Sequence, residues 1–311
     1  MLFSRLSRSF ARTFSASVIL SAALIGCAED ATVPASDPVV EEGPKRALFV
    51  VSNVGIMTAP GYERETGVWF SEVAHPYWEL RDAAGTEFEI DIASPDGGEA
   101  PIDTFSVKLN LDDFLASGGA VYDSGDPGNE RFLDSEETRG FVEARDVTGV
   151  DQEGQPITTT AWSFVGTLAL ADVRAEDYDV VYYAGGNGAS WQFPEDAQTQ
   201  RVAAEMYEAG KLVTAACHGT GALLNVQVDG EYLVAGRPVT GFSNEEEELL
   251  GQKEIMPVLL EDEFPKRGAL YEAMPAWSNH VIVDGRMITG QNPPSAGGVG
   301  EAIVDYFAAE R

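Results

Sequence analysis

The stretch Val213-Thr214-Ala215-Ala216-Cys217-His218-Gly219-Thr220-Gly221-Ala222 decides how this chain is read. An apolar run stops at a cysteine, and small residues suited to opening a helix follow. A strand that passes into a helix through a tight, strained turn lifts its turn residue above the carboxyl edge of a sheet, where a nucleophile is exposed to substrate. Ala216, Gly219 and Gly221 leave room for such a turn. A helix N-terminus behind Cys217 favours the thiolate over the thiol. His218 is next in sequence, and it can reach the sulfur because the cysteine lies outside the helix. A lone cysteine is more often a buried, inert apolar residue, but this setting argues for a reactive one.

Working outward, short apolar runs alternate with helical patterns. Arg46-Ala47-Leu48-Phe49-Val50-Val51 reads as a buried parallel strand. Val68 to Leu80 has helical spacing, and Phe88 to Ala93 reads as a second strand before the turn Ser94-Pro95-Asp96-Gly97-Gly98. Asp179-Val180-Val181-Tyr182-Tyr183-Ala184 is a third strand running into Gly185-Gly186. Ala197 to Ala209 is an amphipathic helix with Gly210 as its cap, and Leu212 to Ala216 is the strand that delivers Cys217. Residues 281–288 form an apolar hairpin around Asp284-Gly285, and Ala296 to Ala309 is a closing helix. This alternation predicts an α/β fold with a doubly wound, mostly parallel sheet. Residues 106–175 break it: they are acidic and turn-rich, and 145–165 reads as an inserted loop or hairpin.

The N-terminus has a different character. Arg5, Arg8 and Arg12 precede a small, apolar stretch from Phe14 to Gly26 that is short for a membrane span. It ends Leu24-Ile25-Gly26-Cys27, which resembles a bacterial lipobox with Cys27 as the lipidated first mature residue. Residues 1–26 are therefore expected to be a lipoprotein signal peptide, and 27–45 an acidic tether broken by proline, ahead of a domain over 46–311. Ala28 follows the cysteine and no aspartate retention signal is present, so the expected location is the outer membrane facing the periplasm, held by lipid alone. Losing residues 1–26 removes three arginines and no acids, moving the net charge from −31 to −34. Such an acidic chain repels nucleic acid and anionic headgroups. The three histidines, His75, His218 and His280, have no metal-ligand spacing, so no metal is expected. A homodimer is compatible with the sequence, which does not fix oligomeric state.

The segment Ala215-Ala216-Cys217-His218-Gly219 resembles the nucleophile elbow of the ThiJ/PfpI superfamily, whose fold is flavodoxin-like and of the class I glutamine amidotransferase type. Other segments agree in order: Gly67 to Tyr77 resembles that family's glutamate-bearing helix, Ala93 to Gly98 and Ala184 to Gly188 its two loops, and Thr240 to Glu247 and Thr289 to Pro293 its later landmarks. The resemblance covers about 45–310 outside the insertion and is strongest to the chaperone-like branch that contains glutathione-independent glyoxalases. It implies a role for each matching residue. Glu72 would stay protonated and hydrogen-bond the sulfur. Glu247, five residues after Phe242, would orient His218, while the rest of the run Glu245 to Glu248 reads equally as a solvated face. Gly186 and His218 would give backbone N–H groups to an oxyanion, with Gly185, Asn187 and His75 around the substrate. The family usually has histidine where Asn187 stands, and Thr220-Gly221 replaces a proline-containing pair, which alters the pocket wall. His75 precedes Pro76, which disfavours helix there, so His75 reads as pocket wall or structural residue alike.

The resemblance implies a cysteine-dependent enzyme acting on small reactive carbonyls, converting methylglyoxal to lactate without a cofactor. Two other classes stay open: a thiol-based amidase, peptidase or protein deglycase, and a non-enzymatic holdase or redox sensor, which an easily oxidised thiol would suit.

Overall fold

A computed structural model describes residues 43–110, 116, 125–150 and 156–310. The expected signal peptide, the lipobox-like Cys27 and the expected tether up to Glu42 lie outside the described residues. Residues 43–311 form one unit, and its first strand starts at Lys45, where the acidic composition ends.

The central sheet has nine strands. In chain order they are β1 (Lys45–Val50), β2 (Phe88–Ser94), β3 (Gly98–Ile102), β4 (Val142–Val150), β5 (Pro156–Ala169), β6 (Val180–Tyr183), β7 (Leu212–Ala216), β8 (Val281–Asp284) and β9 (Met287–Gly290). Their order across the sheet is β8-β9-β7-β6-β1-β2-β5-β3, with β4 paired to β5. The centre, β9-β7-β6-β1-β2, is parallel throughout. Six helices matter for the site: α1 (Ser71–Arg81), α2 (Pro127–Asp134), α3 (Asn187–Gln192), α4 (Ala197–Glu208), α5 (Asn244–Leu249) and α6 (Ser295–Ala309).

The continuous apolar strands read from the sequence are buried on both faces, as helices on both sides of a parallel sheet require. In β1, Leu48 and Val50 enter a core shared with Val202, Ala203 and Met206 of α4. Ala47, Phe49 and Val51 point the other way, into a core with Val73, Ala74 and Tyr77 of α1 and Val299 and Ile303 of α6. The period-2 alternation of side chains thus feeds two layers from one strand. The result is a doubly wound helix–sheet–helix sandwich, and the carboxyl ends of β1, β6 and β7 lie side by side at one edge.

Two expectations need correction. Helical spacing from Val68 predicts an earlier start than is found: Val68 bridges to Ile102 as extended chain, and α1 begins at Ser71. Helix was disfavoured at His75, yet α1 runs through both His75 and Pro76. The reason is local compensation. Proline lacks the N–H that would reach the carbonyl of Glu72 one turn back, and the Tyr182 hydroxyl donates to that carbonyl instead, at 2.8 Å. The insertion is a hairpin: β4 and β5 pair antiparallel from Val142↔Phe164 to Val150↔Pro156, and the far end of β5 joins the main sheet beside β2.

Candidate active site

β7 ends at Ala216 and the chain turns at Cys217, whose φ is +55°. A non-glycine residue in the left-handed region costs on the order of 1 kcal/mol or more, and such strain gathers at functional turns. Thr220 Oγ1 donates to the Cys217 carbonyl at 2.8 Å and holds the turn. The element that follows, Cys217–Leu223, is a 3₁₀-helix. The expectation of a helix N-terminus that lowers the thiol pKa is corrected here. Burial pushes the Cys217 thiol up, and so does Glu72 once its own carboxyl ionises; the N–H groups of His218 and Gly186 pull it down by less.

His218 Nδ1 is 3.5 Å from the Cys217 sulfur, and its Nε2 is 2.9 Å from Glu247 Oε1. With Glu247 ionised, Nε2 carries the proton and donates it, which leaves the Nδ1 lone pair toward the sulfur. The Phe242 ring covers the imidazole at a centroid distance of 4.3 Å. Glu72 projects from the first turn of α1 and accepts the Gly185 N–H at 2.9 Å. Burial pushes its carboxyl up to about 8, against hydrogen bonds to Cys217 and to the Gly185 N–H that pull it down. It is therefore protonated at neutral pH and able to donate to sulfur.

The glycine pair after β6 makes this approach possible. A Cβ on Gly185 would stand 2.7 Å from Glu72 Oε2 and 2.8 Å from Cys217 Cβ. Gly186 has φ +96°, and a Cβ there would meet the Gly67 carbonyl at 2.3 Å. The Gly185 N–H is occupied by Glu72, so Gly185 shapes the site and does not serve as an oxyanion donor; the N–H groups of Gly186 and His218 both face the sulfur. Asn187 opens α3 directly behind Gly186. His75 is not with this group: its Nε2 pairs with Asp126 Oδ1 at 2.8 Å, and the same carboxylate caps α2 through Asn129 N. The structure thus brings Cys217, His218, Glu247, Glu72, Gly185 and Gly186 together and leaves His75 in a separate contact.

The glutamate run divides in a way the solvated-face reading missed. Glu245 and Glu248 are exposed, while Glu246 and Glu247 are buried. Glu246 accepts from Ser243 N, Ser243 Oγ, Trp277 N, Gln291 Nε2 and Asn292 Nδ2 at 2.7–3.2 Å. It is the anchor of α5, and the signal for it was legible: Ser243 with glutamate three residues on is a capping box, which the structure forms.

Known proteins carry related chains. The DJ-1/PfpI family profile matches residues 141–305. A glutathione-independent glyoxalase of Saccharomyces cerevisiae is 33% identical over 261 residues, which are 81% of this chain and 94% of that protein. The chain belongs to the DJ-1/PfpI family. Glyoxalase 3 of Candida albicans is 33% identical over 144 residues, 44% of this chain and 61% of that protein. Among solved structures, the Rapid Encystment Protein of Francisella tularensis superposes with a TM-score of 0.68 at 30% identity, covering 84% of this chain and 98% of that one. The crystal structure of glyoxalase III from Candida albicans gives 0.64 at 26% identity over 84% and 97%. The DJ-1/PfpI profile starts after α1, so Glu72 lies outside its span; the longer yeast relative accounts for most of the rest of the domain.

Proposed function

We propose that this DJ-1/PfpI protein is a cysteine-dependent glyoxalase that converts methylglyoxal and water to lactate without glutathione. The observation that carries the reading is the buried relay Glu247–His218–Cys217 at a left-handed turn, with Glu72, whose carboxyl burial pushes up, hydrogen-bonded to the same sulfur. The names of its relatives support the substrate class.

The steps follow from the geometry. The thiol rests protonated because it is buried, so its proton must leave during attack. His218 Nδ1 takes it as the sulfur bonds to the aldehyde carbon, and Glu247 stabilises the imidazolium. The new oxyanion meets the N–H groups of Gly186 and His218. Imidazolium then protonates it, which gives a neutral hemithioacetal and restores the base. His218 next removes the proton from the former aldehyde carbon, with Glu72 serving the oxygens, to form an enediol. Return of a proton to the neighbouring carbon leaves a thioester on Cys217, with one carbon oxidised and its neighbour reduced. Water cleaves the C–S bond, releasing lactate and the thiol.

The test is lactate formation by the purified chain, with no added thiol. Cys217→Ala and His218→Ala should each lose roughly a hundredfold or more, and Glu247→Ala less, since an orienting residue is partly dispensable. Lactate formation that survives Cys217→Ala overturns the reading. The lipobox separately supports anchoring through Cys27 to the outer membrane, with the domain in the periplasm.

A further inference from the structure

The His218 imidazole is held both at its edge and on its face. At the edge, Glu247 Oε1 lies 2.9 Å from Nε2. On the face lies Phe242, its ring centroid 4.3 Å from that of His218 and its plane tilted by 33°. At that distance and tilt the imidazole meets the face of the phenyl ring, where its negative π density lies, and not its positive edge. Both residues are shut away from water: His218 is 2% exposed and Phe242 3%. The phenyl ring is also well fixed. Ser243, the next residue, donates its N–H and its hydroxyl to the buried Glu246 at 2.9 and 2.8 Å. Trp277 packs against the ring at 5.8 Å and 64°.

A phenyl face in this place has an electrostatic consequence. When the thiol proton passes from Sγ to Nδ1, the imidazole keeps its proton on Nε2 and becomes a cation. The matching negative charge goes to the sulfur and then to the new oxyanion. The face of an aromatic ring attracts a cation within about 6 Å, and more strongly where water is excluded. The neutral imidazole gains no such attraction. The interaction therefore grows as the proton moves, which is the condition for an interaction to lower a barrier.

We infer that Phe242 is a positioning residue that acts through His218: its π face stabilises the imidazolium that forms as the thiol proton arrives. The inference deepens the glyoxalase reading and rests on His218 being its base. A side chain that only filled the space would keep the imidazole dry and in place, but it would offer nothing to the positive charge.

Phenylalanines carrying one, two and three ring fluorines, placed at position 242 of the full chain, weaken the π face while nearly preserving its shape. Two readouts are needed. The first is the alkylation rate of Cys217 by iodoacetamide at neutral pH, which needs the proton transfer but no turnover. The second is kcat for lactate from methylglyoxal, measured together with KM. Both rates should fall with each added fluorine, by about tenfold for three, while KM stays constant. Phe242→Leu is the second variant, since it keeps an apolar cover without a π face. It should alkylate at least as slowly as the trifluorinated chain. A stepwise fall in alkylation with no lactate from any chain, the unmodified one included, keeps the role of Phe242 and removes the glyoxalase reading. Alkylation and kcat that stay flat across the fluorinated series, or a Phe242→Leu chain that alkylates at the wild-type rate, overturn the inference.

Discussion

At the scale of single residues, Glu72 has the most to say about pH. Its carboxyl is pushed up to about 8 in the fold, from an ordinary value of 4.5. Below about pH 4.5 folded and unfolded chains both hold the proton. Between that pH and about 8 the unfolded chain gives it up and the folded one keeps it, so this residue's contribution to stability falls as pH rises and is lost once the folded carboxyl ionises. Glu72→Gln keeps the shape and an acceptor for the Gly185 N–H but cannot ionise. Thermal unfolding from pH 4.5 to 8.5 should show the variant gaining on the wild type as pH rises, by on the order of a few kcal/mol at the upper end. A difference that stays constant with pH would mean that Glu72 titrates normally. The variant should also lose activity, because an amide cannot exchange a proton with the reacting oxygens.

At the scale of elements, the informative feature is the proline inside α1. Pro76 leaves the Glu72 carbonyl without its helical partner, and Tyr182 on β6 supplies one. A strand thereby positions the main chain that carries Glu72. Tyr182→Phe should destabilise the protein by about 1–3 kcal/mol, the effect of leaving a buried carbonyl unpaired. Pro76→Ala returns an N–H to that carbonyl. The double variant should recover most of the loss, and denaturant unfolding of the four proteins measures the coupling. Additive effects would show that the two groups do not share the carbonyl. The same dependence on neighbours explains α5: Glu246 anchors a helix of only six residues to Ser243, Trp277, Gln291 and Asn292, and so fixes Glu247 for His218.

At the scale of the whole molecule, the acidic chain and its N-terminal segment motivate the proposed location. The net charge of −31 disfavours nucleic acid and anionic lipid surfaces as partners. The proposed anchor is then a covalent lipid. Mass spectrometry of the protein from a Gram-negative host should find a diacylated Cys27 as the first residue. An unlipidated mature chain beginning elsewhere would remove the anchor and, with it, the outer-membrane location.

Most of the parallel sheet was legible, because each buried strand is a short apolar run closed by glycine or a turn, as at Tyr183 to Gly186 and Ala216-Cys217. These signals are local: side-chain period, caps and permissive glycines act over a few neighbours in the chain. The sequence by itself determined the doubly wound fold, the elbow and the pairing of Cys217 with His218. Only the tertiary structure decided which of four consecutive glutamates are buried and that His75 pairs with Asp126. It also decided that burial raises the Cys217 thiol where sequence position suggested the reverse. The physical reason is that desolvation and hydrogen-bond partners come from segments far apart in the chain. Trp277 and Tyr182 stand 60 and 35 residues from Cys217, and nothing near either in sequence records what it packs against.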